Sequence, residues 1–127
     1  MAPPKKKTLG ELATKTLAMP ADTNPQGDIF GGWVLSQMDI AGGVVGRGIT
    51  KGRVVTVFVD GMTFHKPVFV GDVLSCYAKL VKIGNTSMTL KIEAWVERDF
   101  KSFKVTEGTF VYVAVDENRV PQKIKKN

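Results

Sequence analysis

The sequence contains one cysteine, Cys76, one histidine, His65, and no long apolar run. A single cysteine excludes an internal disulfide and a metal site built on several cysteines, which agrees with a reducing compartment. Glycine, lysine, aspartate or asparagine interrupts every hydrophobic run before it reaches the roughly 20 apolar residues of a membrane-spanning helix. The first residues also lack the apolar segment and cleavage site of a secretory signal. We therefore expect a cytoplasmic protein without a membrane span.

Positive charge is concentrated at the two ends of the chain. The 127 residues include 18 lysines and arginines and 12 aspartates and glutamates, a net charge of +6. Six of the lysines lie in residues 1–7 and 123–127, which contain no acid, so residues 8–122 are electrically neutral. We predict one domain over residues 8–122, between a basic N-terminal tail (1–7) and a basic C-terminal tail (123–127). The tails either remain solvated or attract a polyanionic ligand such as a phosphorylated cofactor.

No nucleic-acid recognition pattern accompanies this charge. The sequence has no helix-turn-helix, zinc-finger or RNA-recognition motif, and its aromatic residues are not interleaved with basic ones. A nucleic-acid partner is therefore not expected.

Apolar residues recur every three or four positions between Phe30 and Ile49, which predicts a buried helix over that range. Asp28 stands where a side-chain N-cap is expected. The segment contains several glycines, and each glycine in a helix interior costs roughly 1 kcal/mol of stability relative to alanine. Such a helix needs compensation, and close packing against a sheet would supply it.

The other hydrophobic segments are rich in β-branched residues or alternate between apolar and polar residues. The clearest is Thr86–Arg98, in which every second side chain is apolar. Gly84-Asn85 is typical of a hairpin turn, and Gly61 indicates a bend. The remaining predicted strands are Thr8–Met19, Arg53–Phe64, Val73–Ile83 and Phe103–Val115, and Pro20–Asp28 is a structured loop. This order predicts an α+β fold, a five-stranded antiparallel sheet wrapped around one central helix.

Asp39 is the residue of the predicted helix that most suggests chemistry. Its neighbours three and four positions away are Leu35, Ser36, Gly42 and Gly43, none of which is a cation. A carboxylate in such surroundings can serve as a general base. The structural alternative is an aspartate that only hydrogen-bonds a nearby backbone or hydroxyl group. The helix by itself leaves both interpretations open.

Gly31 and Gly32 open the same helix, where the first backbone N–H groups have no intrahelical acceptor and the helix dipole is positive. Without side chains in the way, a ligand carbonyl could approach these N–H groups, which would then stabilise an oxyanion. The alternative is that the glycines only permit close packing of the helix.

Several longer motifs surround these residues. The most distinctive lie in the first half of the chain, at Leu17–Asn24, Gly27–Trp33 and Ser36–Asp39. Others follow at Gly52–Val57, Gly61–Phe64, Pro67–Val68, Val70–Val73 and Tyr112–Asp116. Together they resemble the hotdog-fold acyl-CoA thioesterases, and most closely the bacterial YciA-type group. The resemblance covers almost the whole chain beyond residues 1–7.

The resemblance implies a hotdog fold and the hydrolysis of acyl-CoA thioesters to free acid and coenzyme A. Asp39 would be the general base or the nucleophile, Gly31 and Gly32 would polarise the carbonyl, and Asn24 would help to position the reactants. Substrate or coenzyme A binding is implied for Phe30, Val57, Gly84, Asn85, Thr86 and Ser87. The enzyme would need no metal and no cofactor, since coenzyme A is part of the substrate. It would be a homo-oligomer, at least a dimer and by precedent a hexamer built as a trimer of dimers.

The spacing within the helix adds a prediction about subunits. Gly31 and Asp39 are eight residues apart, which corresponds to about 12 Å along a helix axis. One thioester can hardly contact both, whereas two antiparallel helices related by a two-fold axis would bring the start of one beside the middle of the other. We therefore expect Asn24 and Gly31 to act with Asp39 of a partner subunit.

Other functions remain as alternatives. Related branches of the fold carry a histidine at the position of Phe30, and dehydratases need one near the loop, whereas His65 lies elsewhere and is expected to be structural or exposed. Cys76 alternates with apolar residues and is expected in the core. The main alternative is a non-catalytic module that binds or senses acyl-CoA, and a purely structural oligomerisation domain is the third. A pure binder has no need for a carboxylate without a cation partner beside a thioester, so Asp39 favours the enzyme.

Overall fold

The computed structural model describes Thr8 and residues 10–125. The predicted N-terminal tail, 1–7, lies outside the described residues, as do the last two residues of the predicted C-terminal tail. The described elements are a short 3-10 helix (Pro20–Asp22), the long helix α1 (Gly31–Thr50), and the strands β1 (Glu11–Leu17), β2 (Arg53–Asp60), β3 (Val73–Ile83), β4 (Ser87–Arg98) and β5 (Lys101–Val115).

The five strands form one antiparallel sheet in the order β1-β3-β4-β5-β2. Strands β3, β4 and β5 are joined by short turns and form the centre, while β1 and β2 lie at the edges. Helix α1 lies against the sheet and contacts all five strands. The predicted hotdog architecture, a sheet wrapped around one central helix, is thereby confirmed.

The core forms where the apolar face of β4 meets the apolar stripe of α1. The alternating residues of β4 predicted to share one face are completely buried: Met88, Leu90, Ile92, Ala94 and Val96. On α1 the buried apolar residues are Val34, Met38 and Ala41, at the spacing expected for one helix face. Each large apolar side chain buried in this way contributes roughly 1.5–3 kcal/mol to folding. Cys76 is part of this core, as predicted.

Two of the helix glycines are explained by the close approach of α1 to the sheet. A Cβ atom at Gly42 would overlap the side chain of Tyr112, a residue of β5. At Gly46 it would lie 3.3 Å from Met88 Sδ and 3.4 Å from Val54 Cγ2. The helix therefore gains packing contacts that offset the low helix propensity of these glycines.

Several element boundaries differ from the predicted ones. Strand β2 ends at Asp60, because Gly61 adopts φ +76° and turns the chain before Phe64. Strand β5 begins at Lys101, directly after Asp99 and Phe100, whose φ angles of 52° and 64° form a tight hairpin turn. Strand β1 is shorter than the predicted range, and α1 runs one residue further than predicted.

Asp28 does not cap α1, contrary to prediction. The N-cap position belongs to Phe30, which makes no side-chain capping hydrogen bond. Asp28 instead takes part in the preceding loop, where its backbone N–H and C=O both bond Asn24. The first N–H groups of α1 are consequently left without a side-chain cap.

The chain beyond residue 122, where the sequence places the domain boundary, still packs against the domain. Ile124 is 2% exposed and belongs to the core. Its N–H donates to the carbonyl of Asn85 at 2.8 Å, and the N–H of Gln122 donates to the carbonyl of Ala114 at 2.7 Å. The packed chain therefore extends at least to Ile124, and the lysines on either side of it have defined positions.

Within the part of the chain that the structure describes, no helix has both the length and the apolar character needed to cross a bilayer.

The helix glycines provide a test of this packing. Gly42→Ala should destabilise the protein by about 1–3 kcal/mol, because the added methyl group must displace the Tyr112 side chain. Gly48→Ala is the matched control, since a Cβ there meets nothing within 4 Å, and it should stabilise α1 by roughly 0.5–1 kcal/mol. Denaturant unfolding measures both changes. Equal effects of the two substitutions would contradict the proposed role of Gly42.

Candidate active site

The carboxylate of Asp39 lies where α1, β2 and β5 meet. Thr56 Oγ1 of β2 donates a hydrogen bond to Asp39 Oδ1 at 2.6 Å. The hydroxyl of Tyr112, from β5, lies 3.0 Å from the same oxygen and 3.0 Å from the backbone carbonyl oxygen of Asp39. Asp39 is half-buried, and within the described residues it forms no ion pair with a lysine or arginine. Two hydroxyl groups, rather than a cation, therefore hold this carboxylate.

Tyr112 is a hydrogen-bond donor whose proton is tightly held. The side chain is 1% exposed, and its burial, followed by the negative charge of Asp39, raises the pKa of the phenol far above its ordinary value. A hydrogen bond with Thr56 offsets part of this shift. The hydroxyl thus remains protonated at neutral pH and keeps donating toward Asp39.

Sequence reasoning missed Thr56 and Tyr112 as partners of Asp39. Both lie inside motifs that support the family resemblance, and this was the only feature of the sequence that could have pointed to them. Their separations from Asp39, 17 and 73 residues, follow no periodicity, so only the packing of α1 on the sheet brings the three together.

The first turn of α1 carries free backbone donors, as predicted. The N–H groups of Trp33 and Val34 bond the carbonyl of Phe30 at 3.1 and 3.4 Å, whereas those of Gly31 and Gly32 have no acceptor among the described residues. Both glycines are exposed, and a Cβ at Gly32 would meet nothing within 4 Å. These two N–H groups are therefore open to a ligand oxygen.

Asn24 organises the loop that leads into the helix. Its side-chain Oδ1 accepts hydrogen bonds from the N–H groups of Gln26 and Asp28, both at 3.0 Å. Its backbone N–H donates to the carbonyl of Asp28 at 2.6 Å. Because the side-chain oxygen is occupied within the loop, the amide nitrogen is the atom of Asn24 that is left to donate to a ligand.

A cleft of about 360 Å³ brings Asn24 and Gly31 together. Its other walls include Phe64, His65 and Lys66, so His65 is exposed beside the candidate site rather than placed in the core. Asp39 does not line this cleft. The single chain therefore joins Asn24 with Gly31 and leaves Asp39 apart from both.

An ion pair fixes one wall of this cleft. Arg98 donates to both carboxylate oxygens of Asp72, at 2.9 and 2.6 Å, and to the carbonyl of Pro67 at 3.1 Å. Its guanidinium also stacks over the ring of Phe69, 4.3 Å from the ring centre. The segment from Pro67 to Asp72, which borders the cleft, is thus held by a bidentate contact.

The other predicted binding residues occupy separate places. Phe30 and Val57 are about half exposed, at 49% and 55%, and neither lines the cleft. Val57 lies at the β-bulge of the edge strand β2, next to Thr56.

The hairpin formed by Gly84, Asn85, Thr86 and Ser87 lies toward the far end of α1. It is held by a bond from the Gly84 N–H to the Ser87 carbonyl at 2.7 Å, and Ser87 is paired with Val113 of β5. The predicted residues of one subunit therefore lie mainly in three separate places. Asn24 and Gly31 line the cleft, Asp39 lies beside Thr56 and Tyr112, and Gly84–Ser87 form the hairpin.

No metal site accompanies these groups in the described part of the chain. Those residues contain no cluster of three or more His, Cys, Asp or Glu side chains that could hold a metal ion.

The chain is similar to known thioesterases in sequence and in structure. Residues 26–101 match the thioesterase superfamily. The chain is 54% identical over 120 residues to the acyl-CoA thioester hydrolase YciA of Salmonella typhimurium, covering 91% of this chain and 90% of that protein. It is also similar to the hexameric thioesterase y2039 from Yersinia pestis, with a TM-score of 0.91, 54% identity, and 94% and 99% of the two chains covered. A hexameric hotdog-fold thioesterase of Campylobacter jejuni superimposes with a TM-score of 0.88 at 42% identity, over 91% of each chain.

The raised pKa of Tyr112 predicts a pH-dependent stability. The folded state holds the Tyr112 proton more tightly than the unfolded chain does. The resulting contribution to the free energy of unfolding is complete below the unfolded tyrosine pKa of about 10 and is lost as the pH rises further. The advantage of the wild type over Tyr112→Phe in free energy of unfolding should therefore shrink above about pH 10. Denaturant unfolding of both proteins across that range measures it.

The difference in free energy of unfolding between wild type and Tyr112→Phe is not affected by other groups that titrate at alkaline pH. Burial raises the pKa of the Cys76 thiol to about 11, but Cys76 is present in both and cancels in the difference. A difference between wild type and Tyr112→Phe that stays constant with pH would show that Tyr112 is not the group responsible.

Proposed function

Because the chain belongs to the thioesterase superfamily, we propose that it hydrolyses acyl-CoA thioesters with Asp39 of one subunit and the start of α1 of another. The protein is thus an enzyme, an acyl-CoA thioester hydrolase. Water is the second substrate, and the products are a free carboxylic acid and coenzyme A. No metal or further cofactor is part of the proposal.

The observation that carries the assignment is the way in which Asp39 is held. Thr56 and Tyr112 both hydrogen-bond Oδ1, and Oδ2 has no partner among the described residues. The first oxygen fixes the orientation of the carboxylate, so the second is available for the reaction. A carboxylate oriented by hydroxyl donors and not neutralised by a cation keeps its ability to accept a proton or attack a carbonyl.

Two routes use this oxygen. As a general base, Asp39 takes a proton from water while the water oxygen adds to the thioester carbonyl carbon. The tetrahedral intermediate then collapses with cleavage of the carbon–sulfur bond, and the proton passes to the departing thiolate of coenzyme A. As a nucleophile, Asp39 adds to the carbonyl carbon itself, expels the thiolate and forms an anhydride that water hydrolyses.

Either route places negative charge on the carbonyl oxygen. The free N–H groups of Gly31 and Gly32 lie at the positive end of α1, and Asn24 lines the same cleft as Gly31. These donors are fixed before the substrate binds, so they stabilise the oxyanion without reorganisation.

The exposed apolar residues around Asp39 support a shared active site. Ile40 and Val44 of α1 and Val57 and Phe58 of β2 are each more than half exposed. Side chains of this kind, contiguous with a half-buried carboxylate, are typical of a subunit interface. A second copy packed here would cover them and bring the start of its own α1 to Asp39.

The oligomer that we propose is a hexamer built as a trimer of dimers. The similar thioesterases from Yersinia pestis and Campylobacter jejuni are described as hexameric, which supports a homo-oligomer for this chain. The two-subunit site itself requires only the dimer.

The conservative substitution Asp39→Asn tests the assignment. Asparagine can still accept hydrogen bonds from Thr56 and Tyr112, so the fold should be retained. It cannot act as base or nucleophile, and turnover of acyl-CoA should fall at least about 10²-fold. Release of free thiol from a panel of acyl-CoA substrates measures the rate, and Asp60→Asn, at the exposed end of β2, is the control for loss of one carboxylate. Near-normal turnover in folded Asp39→Asn protein would refute the role.

Complementation between two inactive variants tests the shared site. Asn24→Asp keeps the oxygen that anchors the loop and removes the amide donor, and Asp39→Asn removes the carboxylate. When subunits exchange at random, half of the dimers are mixed and each contains one intact site of two, so activity should recover to about one quarter of the wild type.

The control for complementation is Asn24→Asp mixed with the double variant Asn24→Asp/Asp39→Asn, which leaves no intact site in any pairing. Mass spectrometry of differently labelled subunits verifies that exchange has taken place. Exchange without recovery in the first mixture would place Asn24 and Asp39 of the same subunit in one site.

A further inference from the structure

The cleft that joins Asn24 with Gly31, called the Asn24 cleft below, contains one aromatic side chain that a ligand can reach. Phe64 lines this cleft and is 45% exposed. The aliphatic residues of the same cleft are almost completely buried in the core: Ile29, Val34 and Val68. Phe64, together with the exposed Pro67, therefore supplies the apolar surface that the cleft can offer to a ligand.

The ring of Phe64 lies directly beside the start of α1. A Cβ atom placed on Gly31 would be 3.4 Å from Phe64 Cζ and 3.5 Å from Cε2, which is van der Waals contact. On Gly32, in contrast, a Cβ atom would have nothing within 4 Å. The ring therefore covers one side of the helix start and leaves the other side open.

Strand β5 fixes the backbone on both sides of Phe64. The carbonyl of Thr63 accepts a hydrogen bond from Thr106 Oγ1 at 2.7 Å, and the N–H of His65 donates to the carbonyl of Val105 at 2.8 Å. Thr106 and Val105 are completely buried. The segment that carries Phe64 is thus held against the sheet before a substrate binds.

This position brings the ring close to the reacting group. In the proposed function the thioester carbonyl oxygen is bound by the N–H groups of Gly31 and Gly32, about 2.9 Å from their nitrogens. The carbonyl carbon carries two further groups, the acyl chain and the sulfur of coenzyme A. Because Phe64 is in contact with the Gly31 position, the group that enters the Asn24 cleft lies against the ring with its first atoms.

The chemistry of the cleft favours the acyl chain as that group. A phenyl ring has no hydrogen-bonding atoms for the amides and hydroxyl of the pantetheine arm, and burying such groups without partners is unfavourable. A hydrocarbon chain needs no partner. Asp28 and Lys66 line the same cleft with opposite charges, so their charges balance and do not favour the anionic phosphates of coenzyme A.

We propose that Phe64 determines the acyl-group specificity of the enzyme by contacting the first carbons of the acyl chain. The favoured substrates are then thioesters with an apolar chain of about four or more carbons, because each methylene group buried against the ring raises kcat/KM about fourfold. An acetyl group is too short to gain from this contact. The proposal rests on the proposed function and adds to it the residue that contacts the acyl chain.

The test measures kcat/KM for acetyl-, butyryl- and hexanoyl-CoA in the wild type, Phe64→Ala and Phe64→Leu. In the wild type, kcat/KM should rise along this series. Phe64→Ala should lower kcat/KM at least about tenfold for hexanoyl-CoA and less than about twofold for acetyl-CoA, because the contact is lost only where a chain reaches it. Phe64→Leu keeps an apolar side chain and should retain most of the rise.

Phe100→Ala is the matched control. Phe100 is fully exposed in the turn between β4 and β5 and lies outside the cleft, so its loss should leave the whole series unchanged. Calorimetric titration with S-hexyl-coenzyme A, a thioether that cannot be hydrolysed, and with coenzyme A alone measures affinity without turnover. The hexyl group should add at least about tenfold to the affinity of the wild type and little to that of Phe64→Ala.

Three results would overturn the proposal. An equal loss of kcat/KM for all three substrates would show that Phe64 only supports the start of the helix. A weaker affinity of Phe64→Ala for coenzyme A alone would place the pantetheine arm beside the ring. A smaller oligomer in native mass spectrometry of Phe64→Ala would show that the exposed ring is a contact between subunits.

Failure of the proposed function would have a different result. A wild-type protein that hydrolyses none of the three substrates would overturn the proposed function. The calorimetric comparison of S-hexyl-coenzyme A with coenzyme A would still decide whether Phe64 contacts the chain.

Discussion

The hydroxyl of Tyr112 connects the helix to the sheet at Asp39, the residue on which the proposed chemistry depends. It reaches both the carboxylate and the backbone carbonyl of Asp39, and the missing side chain of Gly42 gives it the necessary space. The same contact therefore sets how closely α1 approaches β5 and how the carboxylate is oriented. Because burial and the charge of Asp39 keep the phenol protonated, the contact persists at neutral pH.

The rigidity of α1 explains why the proposed active site needs two subunits. A helix holds residues eight positions apart at a separation of about 12 Å along its axis, and the backbone N–H groups of Gly31 and Gly32 are fixed in the helix. In the proposed mechanism the carboxylate and the oxyanion donors act on the same carbonyl group, so we infer that they come from the helices of two different subunits. The exposed apolar side chains of α1 and β2 favour that association, because burying them against a second copy removes them from water.

Charge is distributed unevenly along α1. Residues 8–122 have balanced charge overall, yet four cations line a second cleft at the end of α1 that is remote from Asn24 and Gly31: Lys51, Arg53, Lys123 and Lys125.

The sequence by itself determined the elements whose signals are local. The alternation in β4, the three- and four-residue spacing in α1 and the family motifs around Asp39 were enough to predict the architecture and the catalytic candidates, because side-chain periodicity reports directly which face of an element is buried. Tertiary structure alone decided that Thr56 and Tyr112 hold Asp39, that Asn24 shares a cleft with Gly31, and that Ile124 anchors two lysines beside the hairpin. These contacts join residues far apart in the chain. They depend on strand register and on the distance at which α1 packs against the sheet, and neither can be read from side-chain periodicity in the sequence.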